Sequence, residues 1–341
     1  MTRNNGKTVT LNTRNYTLKE SRGADGSKIP IEEIDDVVLP ESLTELVETY
    51  EAVVQTRDSY IWRWFYSVSQ QFQLSCVPSS NHEHALEQKS ILTMFVTMLD
   101  DLAEHDGDRQ TFQEARKIPF PSEHPVSDRD GVDTAFVEFA QQVWEAFETR
   151  LQTASRYEEF VELFRFDFRQ VINAIDYSLV TNEHPDASTL GGCEQYDAHN
   201  MVVFSYVDVD LMHSPSFERD DLVELRDVVW DAQMMARIGN WVTTWERELE
   251  EGDFSSGVIV YALQRDIVTV DELRSDDADE KAELAERIRD HQVEEYFMTE
   301  WETRYSSLKS GRVTASSVDI DAFVEGMKMV LTYHLASRGK K

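Results

Sequence analysis

Basic residues are scarce. The 341-residue chain has 33 Lys+Arg against 65 Asp+Glu, a formal net charge of −32. Nucleic-acid binding needs a basic footprint and anionic lipid attracts a basic face, so neither is an expected partner. The acid is spread along the whole chain, not gathered in a tail. Spread acid with few lysines is the pattern of a protein kept soluble in high salt, which points to a halophile. Cysteine is nearly absent too. Cys76 and Cys193 are the only two, and neither lies in a CxxC or CxxH arrangement. This speaks against a zinc site or disulfide framework and fits a reduced, cytoplasmic protein. No apolar run reaches the ~18 residues of a membrane span, and no apolar stretch of a secretory signal follows Met1.

What is present is helical periodicity. Hydrophobic residues make up 41% of the chain, enough for a sizeable core. Residues 1–40, with Gly6, Gly23, Gly26 and Pro30, read as a loosely ordered N-terminal arm. Residues 41–341 show no internal repeat and no linker, so one all-α domain, a single helical bundle, is expected. Helical pattern is expected over 42–72, 83–104, 132–154, 157–181, 216–251, 258–264, 277–309 and a final amphipathic segment. Residues 107–130, with Pro119, Pro121 and Pro125, read as loop. Residues 193–212 read as helix, although the Val/Asp alternation at 207–210 leaves a strand open. The run Tyr60-Ile-Trp62-Arg-Trp64-Phe65-Tyr66 admits two roles: core packing, or a cavity whose aromatic faces meet a cation.

Two stretches carry candidate chemistry. Asn240, Thr244 and Glu248 fall at i, i+4 and i+8, so a helix presents an amide, a hydroxyl and a carboxylate as one stripe. Apolar Met234, Met235, Ile238, Trp241, Val242 and Trp245 flank them. Three oxygen ligands suit a hard divalent cation such as Mg2+; the alternative is a face exposed to water. The motif Asp-Asp-x-x-(Asp/Glu) occurs three times. Asp220-Asp221-x-x-Glu224 fits the first turn of a helix, where acids are favoured, and Asp276-Asp277-x-x-Glu280 lies in a charged surface stretch. Only Asp100-Asp101-x-x-Glu104 ends a strongly apolar helix, where carboxylates repel one another and oppose the helix dipole. A bound cation resolves that conflict. Two facing helices would then form opposite walls of one cavity mouth, and bridging metal would let acids hold a diphosphate.

This combination resembles the class I terpene synthases of the microbial type. Asp100-Asp101-x-x-Glu104 is similar to their aspartate-rich motif, and Asn240-x3-Thr244-x3-Glu248, followed by Leu-Glu-Glu-Gly-Asp253, to their second metal motif. The resemblance covers about 42–338. It implies an all-α class I terpenoid synthase fold, three Mg2+ ions, and an isoprenyl diphosphate substrate, farnesyl or geranylgeranyl, that is ionised and cyclised or quenched. Asp100, Glu104, Asn240, Thr244 and Glu248 would hold metal. Asp100, Asp101 and Arg247 would be catalytic. Arg247, Arg338 and His199 would meet the diphosphate, and Trp62, Phe65, Phe95 and Trp241 would line the cavity. A homodimer is left open. The family's diphosphate-sensing arginine, upstream of the motif asparagine, has no counterpart: no arginine lies between Arg169 and Arg219. The region holds Tyr196-Asp-Ala-His199-Asn200, so either His199, Arg165 or Arg169 substitutes or the activity differs. Of the C-terminal Arg-Tyr pair only Arg338 remains; Arg304-Tyr305 lies earlier. Two other readings stand beside this one. One is a chain-elongating prenyl diphosphate synthase, with Asp220-Asp221-x-x-Glu224 as its second acidic motif. The other is a non-catalytic helical binding protein.

Overall fold

The acidity of the chain is used first at helix ends. Side chains of Asp58, Asp108, Asp133, Asp277 and Asp319 each accept a backbone N–H at the start of a helix. A carboxylate there satisfies an orphan donor and complements the helix dipole. Thr269 and Glu272 form a reciprocal capping box at another start.

The computed structural model describes residues 31–103, 108–311 and 315–340. Among these residues the chain forms only helices and turns. In order they are α1 (Glu41–Val53), α2 (Ser59–Ser69), α3 (His82–Asp101), α4 (Arg109–Ala115), α5 (Thr134–Leu151), α6 (Tyr157–Glu183) and α7 (Leu190–Gln195). There follow α8 (Val203–Met212), α9 (Leu222–Glu251), α10 (Gly257–Gln264), α11 (Val270–Leu273), α12 (Ala278–Asp290), α13 (Val293–Ser310) and α14 (Ile320–Ala336). None is long and apolar enough to cross a membrane.

The 30-residue α9 packs against α8, α10, α12, α13 and α14. Its buried face runs from Leu225 to Leu249, which is why its polar stripe lies within the protein. The Leu331 and His334 side chains of α14 lie against α9 at Gly239. Gly257, at the start of α10, lies under the Trp241 ring; a Cβ there would sit 2.6 Å from it. Glycine is therefore required where α10 turns back on α9.

Several expected helices are broken, each for a local reason. The 42–72 segment stops after Val53. Gln55 takes φ 63°, and Asp58 restarts the helix by accepting from Tyr60 N at 2.7 Å. The 277–309 segment is interrupted at Gln292, with φ 56°. The expected loop at 107–130 contains α4. Of the expected N-terminal arm, residues 1–30 lie outside the described residues. Residues 31–36 form a 3-10 turn against α2, and Ile34 is buried.

The strand alternative at 207–210 gives way to α8. Every residue of α8 is buried, so it shows no helical amphipathic pattern. Its Asp210 pairs with Lys89 of α3 at 2.7 Å, both side chains fully buried, and also accepts Leu74 N at 2.9 Å. Asp208 lies fully buried beside Asp167, which Arg226 grips through both oxygens. Breaking a buried pair from one side leaves an uncompensated charge. Lys89→Met should therefore lower stability by about 3–5 kcal/mol in urea unfolding, and Lys89→Met with Asp210→Leu should recover much of that loss.

Candidate functional site

A cavity of about 200 Å³ opens between α2, α3, α8, α9 and α14. Its apolar wall includes Trp64, Phe65 and Phe72, with Tyr206 beside them. Ile61, Trp64, Phe65 and Val68 line it at i, i+3, i+4 and i+7, the period of one helix face. This settles which aromatics of the 60–66 run reach it. Phe65 does; Trp62, one position off the stripe, packs edge-on against Tyr50 at 4.9 Å. Phe95 packs with Trp144 at 5.0 Å, and Trp241 with Phe297 at 5.4 Å. These three belong to the core, and Trp64 takes the cavity place expected for Trp62.

Asp100 stands on the cavity wall at the end of α3. Its Oδ1 accepts from Asn200 Nδ2 at 2.9 Å. Asp101, the next residue, turns elsewhere. Arg57 grips it with Nη2 at 2.7 Å and Nε at 3.1 Å, and Thr56 donates to it at 2.6 Å. Consecutive helical residues project about 100° apart, so one acid can serve the cavity while the other ties α3 to the α1–α2 connection. Asp101 is thus buried and ion-paired with Arg57. Glu104 lies outside the described residues.

The opposite wall is α9. Asn240 lines the cavity. Thr244 and Glu248 follow one and two turns on, both buried. Thr244 Oγ1 donates to the Asn240 carbonyl at 2.8 Å. Glu248 Oε2 is buried with no protein hydrogen-bond partner among the described residues. Beyond it Gly252 takes φ 83° and ends the helix, and Asp253 N donates to the Glu248 carbonyl at 2.8 Å. This turn places the Asp253 charge beside Glu248.

Arg237, one turn before Asn240, also lines the cavity. Its Nε and Nη2 donate to Asp197 at 2.7 and 2.6 Å, and its Nη1 donates to Asn240 Oδ1 at 2.8 Å. Trp241 Nε1 adds a third donor to Asp197 at 3.1 Å. Asp197 and Asn200 belong to one 3-10 turn, Asp197–Met201, that ends at Val202 with φ 61°. A β-branched residue in left-handed backbone is strained. The turn thus reaches both walls, Asp100 through Asn200 and Arg237 through Asp197.

No protein-family model matches the chain, and no curated protein matches it in sequence. The residues themselves therefore carry the reading.

The expected diphosphate contacts fall in three places. Arg247 neighbours Glu248 and pairs with Glu251 at 3.3 Å. Arg338 is engaged by Glu294 at 2.6 Å and Glu246 at 3.1 Å, a network apart from the cavity wall. His199 receives Gln233 Nε2 at 3.1 Å and packs against Phe204 and Trp230. The turn around 197 was legible as the place of a missing arginine. That its aspartate meets an arginine from α9 was not, because the two lie 40 residues apart in sequence.

Among the described residues no group of three or more His, Cys, Asp or Glu side chains is arranged to hold a metal. The α9 face fits one hard ion by chemistry: amide, hydroxyl and a carboxylate whose buried Oε2 has no protein partner. The described carboxylates do not build a three-ion cluster. Burial pushes Asp100 up to about 7, Asp101 adds repulsion, and Asn200 and Arg237 oppose the rise. Burial likewise pushes Glu248 up to about 7, with Asp253 adding to it; Arg237, Thr244 and Arg247 oppose.

A carboxyl raised in this way binds its proton more tightly in the folded chain than in the unfolded one. Its stabilising effect is present at low pH and is lost as pH rises from the ordinary carboxylate range through about 7. In metal-free protein, Tm should fall between about pH 5 and about pH 8. Asp100→Asn with Glu248→Gln should flatten that fall by roughly a few degrees. An unchanged slope in differential scanning calorimetry would remove these two residues from the electrostatics described.

Proposed function

We propose that this chain is a Mg2+-dependent class I terpene synthase acting on an isoprenyl diphosphate. One observation carries the reading: Asp100 on α3 and Asn240 on α9, the latter leading the stripe to buried Glu248, line one apolar, aromatic cavity. Asn240, Thr244 and Glu248 would hold the cation, with Asp100 on the opposite wall. When bound, Mg2+ supplies charge stabilisation for the departing diphosphate.

The chain's own residues do the remaining work. The apolar wall binds the hydrocarbon chain and excludes water from it. As the allylic carbon–oxygen bond breaks, both electrons leave with the diphosphate and the carbon chain becomes cationic. The faces of Trp64, Phe65, Phe72 and Tyr206 then meet positive charge in a desolvated space, where cation–π attraction is strongest. The Tyr206 hydroxyl is paired with Thr93 Oγ1 at 2.8 Å, so the ring is held in place.

The chain-elongating alternative has less support. Asp221, in its candidate second acidic motif, is taken up by Ser317 N at 2.7 Å and Ser317 Oγ at 2.6 Å. It lies roughly 28 Å from Asn240 along α9, at 1.5 Å per residue.

Purified protein in high KCl, given Mg2+ with geranyl, farnesyl or geranylgeranyl diphosphate, should release diphosphate and form hydrocarbon or alcohol products. Longer diphosphates formed with isopentenyl diphosphate would favour elongation instead. Asn240→Ala and Glu248→Ala should each cut turnover by at least about 100-fold while circular dichroism is retained. Full activity in either variant would refute the α9 site.

A further inference from the structure

We propose that Arg237, clamped by Asp197, is the residue that binds the departing diphosphate oxygen, in place of the His199, Arg165 or Arg169 offered by the sequence. This rests on the terpene synthase reading and goes beyond it by assigning the anion contact to a residue of α9 itself.

Three observations converge on Arg237. It is the one cation among the described residues lining the cavity, where Asp100 and Asn240 also lie. Its side chain is 7% exposed, so its field is little screened by water. Its orientation is set by two charge-assisted bonds to a fully buried carboxylate, with the Trp241 indole fixing the same carboxylate from the side. A fork held along one edge presents its remaining nitrogen in a fixed direction, which suits an oxyanion. That nitrogen, Nη1, meets Asn240 Oδ1 at 2.8 Å. Asn240 is the first residue of the oxygen stripe, so the guanidinium lies beside the place the diphosphate would take. On anion arrival Nη1 can exchange the amide oxygen for a diphosphate oxygen while Nε and Nη2 stay on Asp197.

Stability alone does not account for the pair. Buried ion pairs are commonly replaceable by apolar residues at little or no loss. This one sits against the cavity and joins α9 to the 3-10 turn that also holds Asp100 through Asn200. Asp197 is accordingly a positioning residue, acting through Arg237.

The test is binding of inorganic pyrophosphate with Mg2+, followed by isothermal titration calorimetry on the full chain in high KCl. Arg237→Gln combined with Asp197→Asn removes both charges and strands neither. This variant should keep its circular dichroism and bind Mn2+ by electron paramagnetic resonance. It should lose about 10- to 100-fold in pyrophosphate affinity, the range for one charged hydrogen bond to an anion. Arg237→Lys keeps the charge but not the fork and should fall between. Arg116→Gln, in the pair with Asp176 away from the cavity lining, should stay within about twofold of the parent, as expected of a partly exposed pair. A double variant that binds pyrophosphate as the parent does overturns the Arg237 assignment and leaves the functional reading standing. A double variant that loses Mn2+ and pyrophosphate together also overturns it, because the pair then only maintains the site. A parent protein that binds no Mg2+–pyrophosphate and releases no diphosphate from any prenyl substrate overturns both.

Discussion

Like charges facing a low-dielectric cavity repel unless something stands between them. Asp100, on the cavity wall, meets Asp101 and Asp253 in this way, and Glu248, buried two turns beyond Asn240, meets Asp253. Arg237 is the protein's own counter-charge. It lowers both raised carboxyls and is itself held by Asp197. The long α9 carries Arg237, Asn240, Thr244 and Glu248 on one face, and the turn at Asp197–Met201 ties that face to α3. On the proposed reading a divalent cation and a diphosphate complete the arrangement.

Acid elsewhere in the chain has different work. Five aspartates cap helices, Asp101 joins α3 to the α1–α2 connection through Arg57, and Asp210 is buried against Lys89. Acidic motifs are therefore poor guides in this composition. Of three Asp-Asp-x-x-(Asp/Glu) occurrences, the 220 motif anchors a loop through Asp221 and the 276 motif caps α12 through Asp277. Among the described residues only the 100 motif reaches the cavity, through Asp100.

The helical class was legible because amphipathic helices announce their period, and the α9 stripe because i, i+4, i+8 spacing needs no tertiary knowledge. The same period, read strictly over 61–72, would have selected Trp64 over Trp62. Breaks at Gln55 and Gln292 were hidden because neither is glycine or proline, yet both take positive φ. The α8 helix was ambiguous because full burial erases its pattern. Arg237 stood in plain sight beside Asn240, but its meaning depends on Asp197, a long-range contact that no local spacing encodes.

The most direct measurement is anomalous diffraction from crystals grown with Mn2+ and pyrophosphate. Metal density against Asn240, Thr244 and Glu248, with the anion reaching Arg237 and facing Asp100, is the predicted result. Density confined to surface carboxylates, with the cavity mouth free of metal and anion, would contradict it.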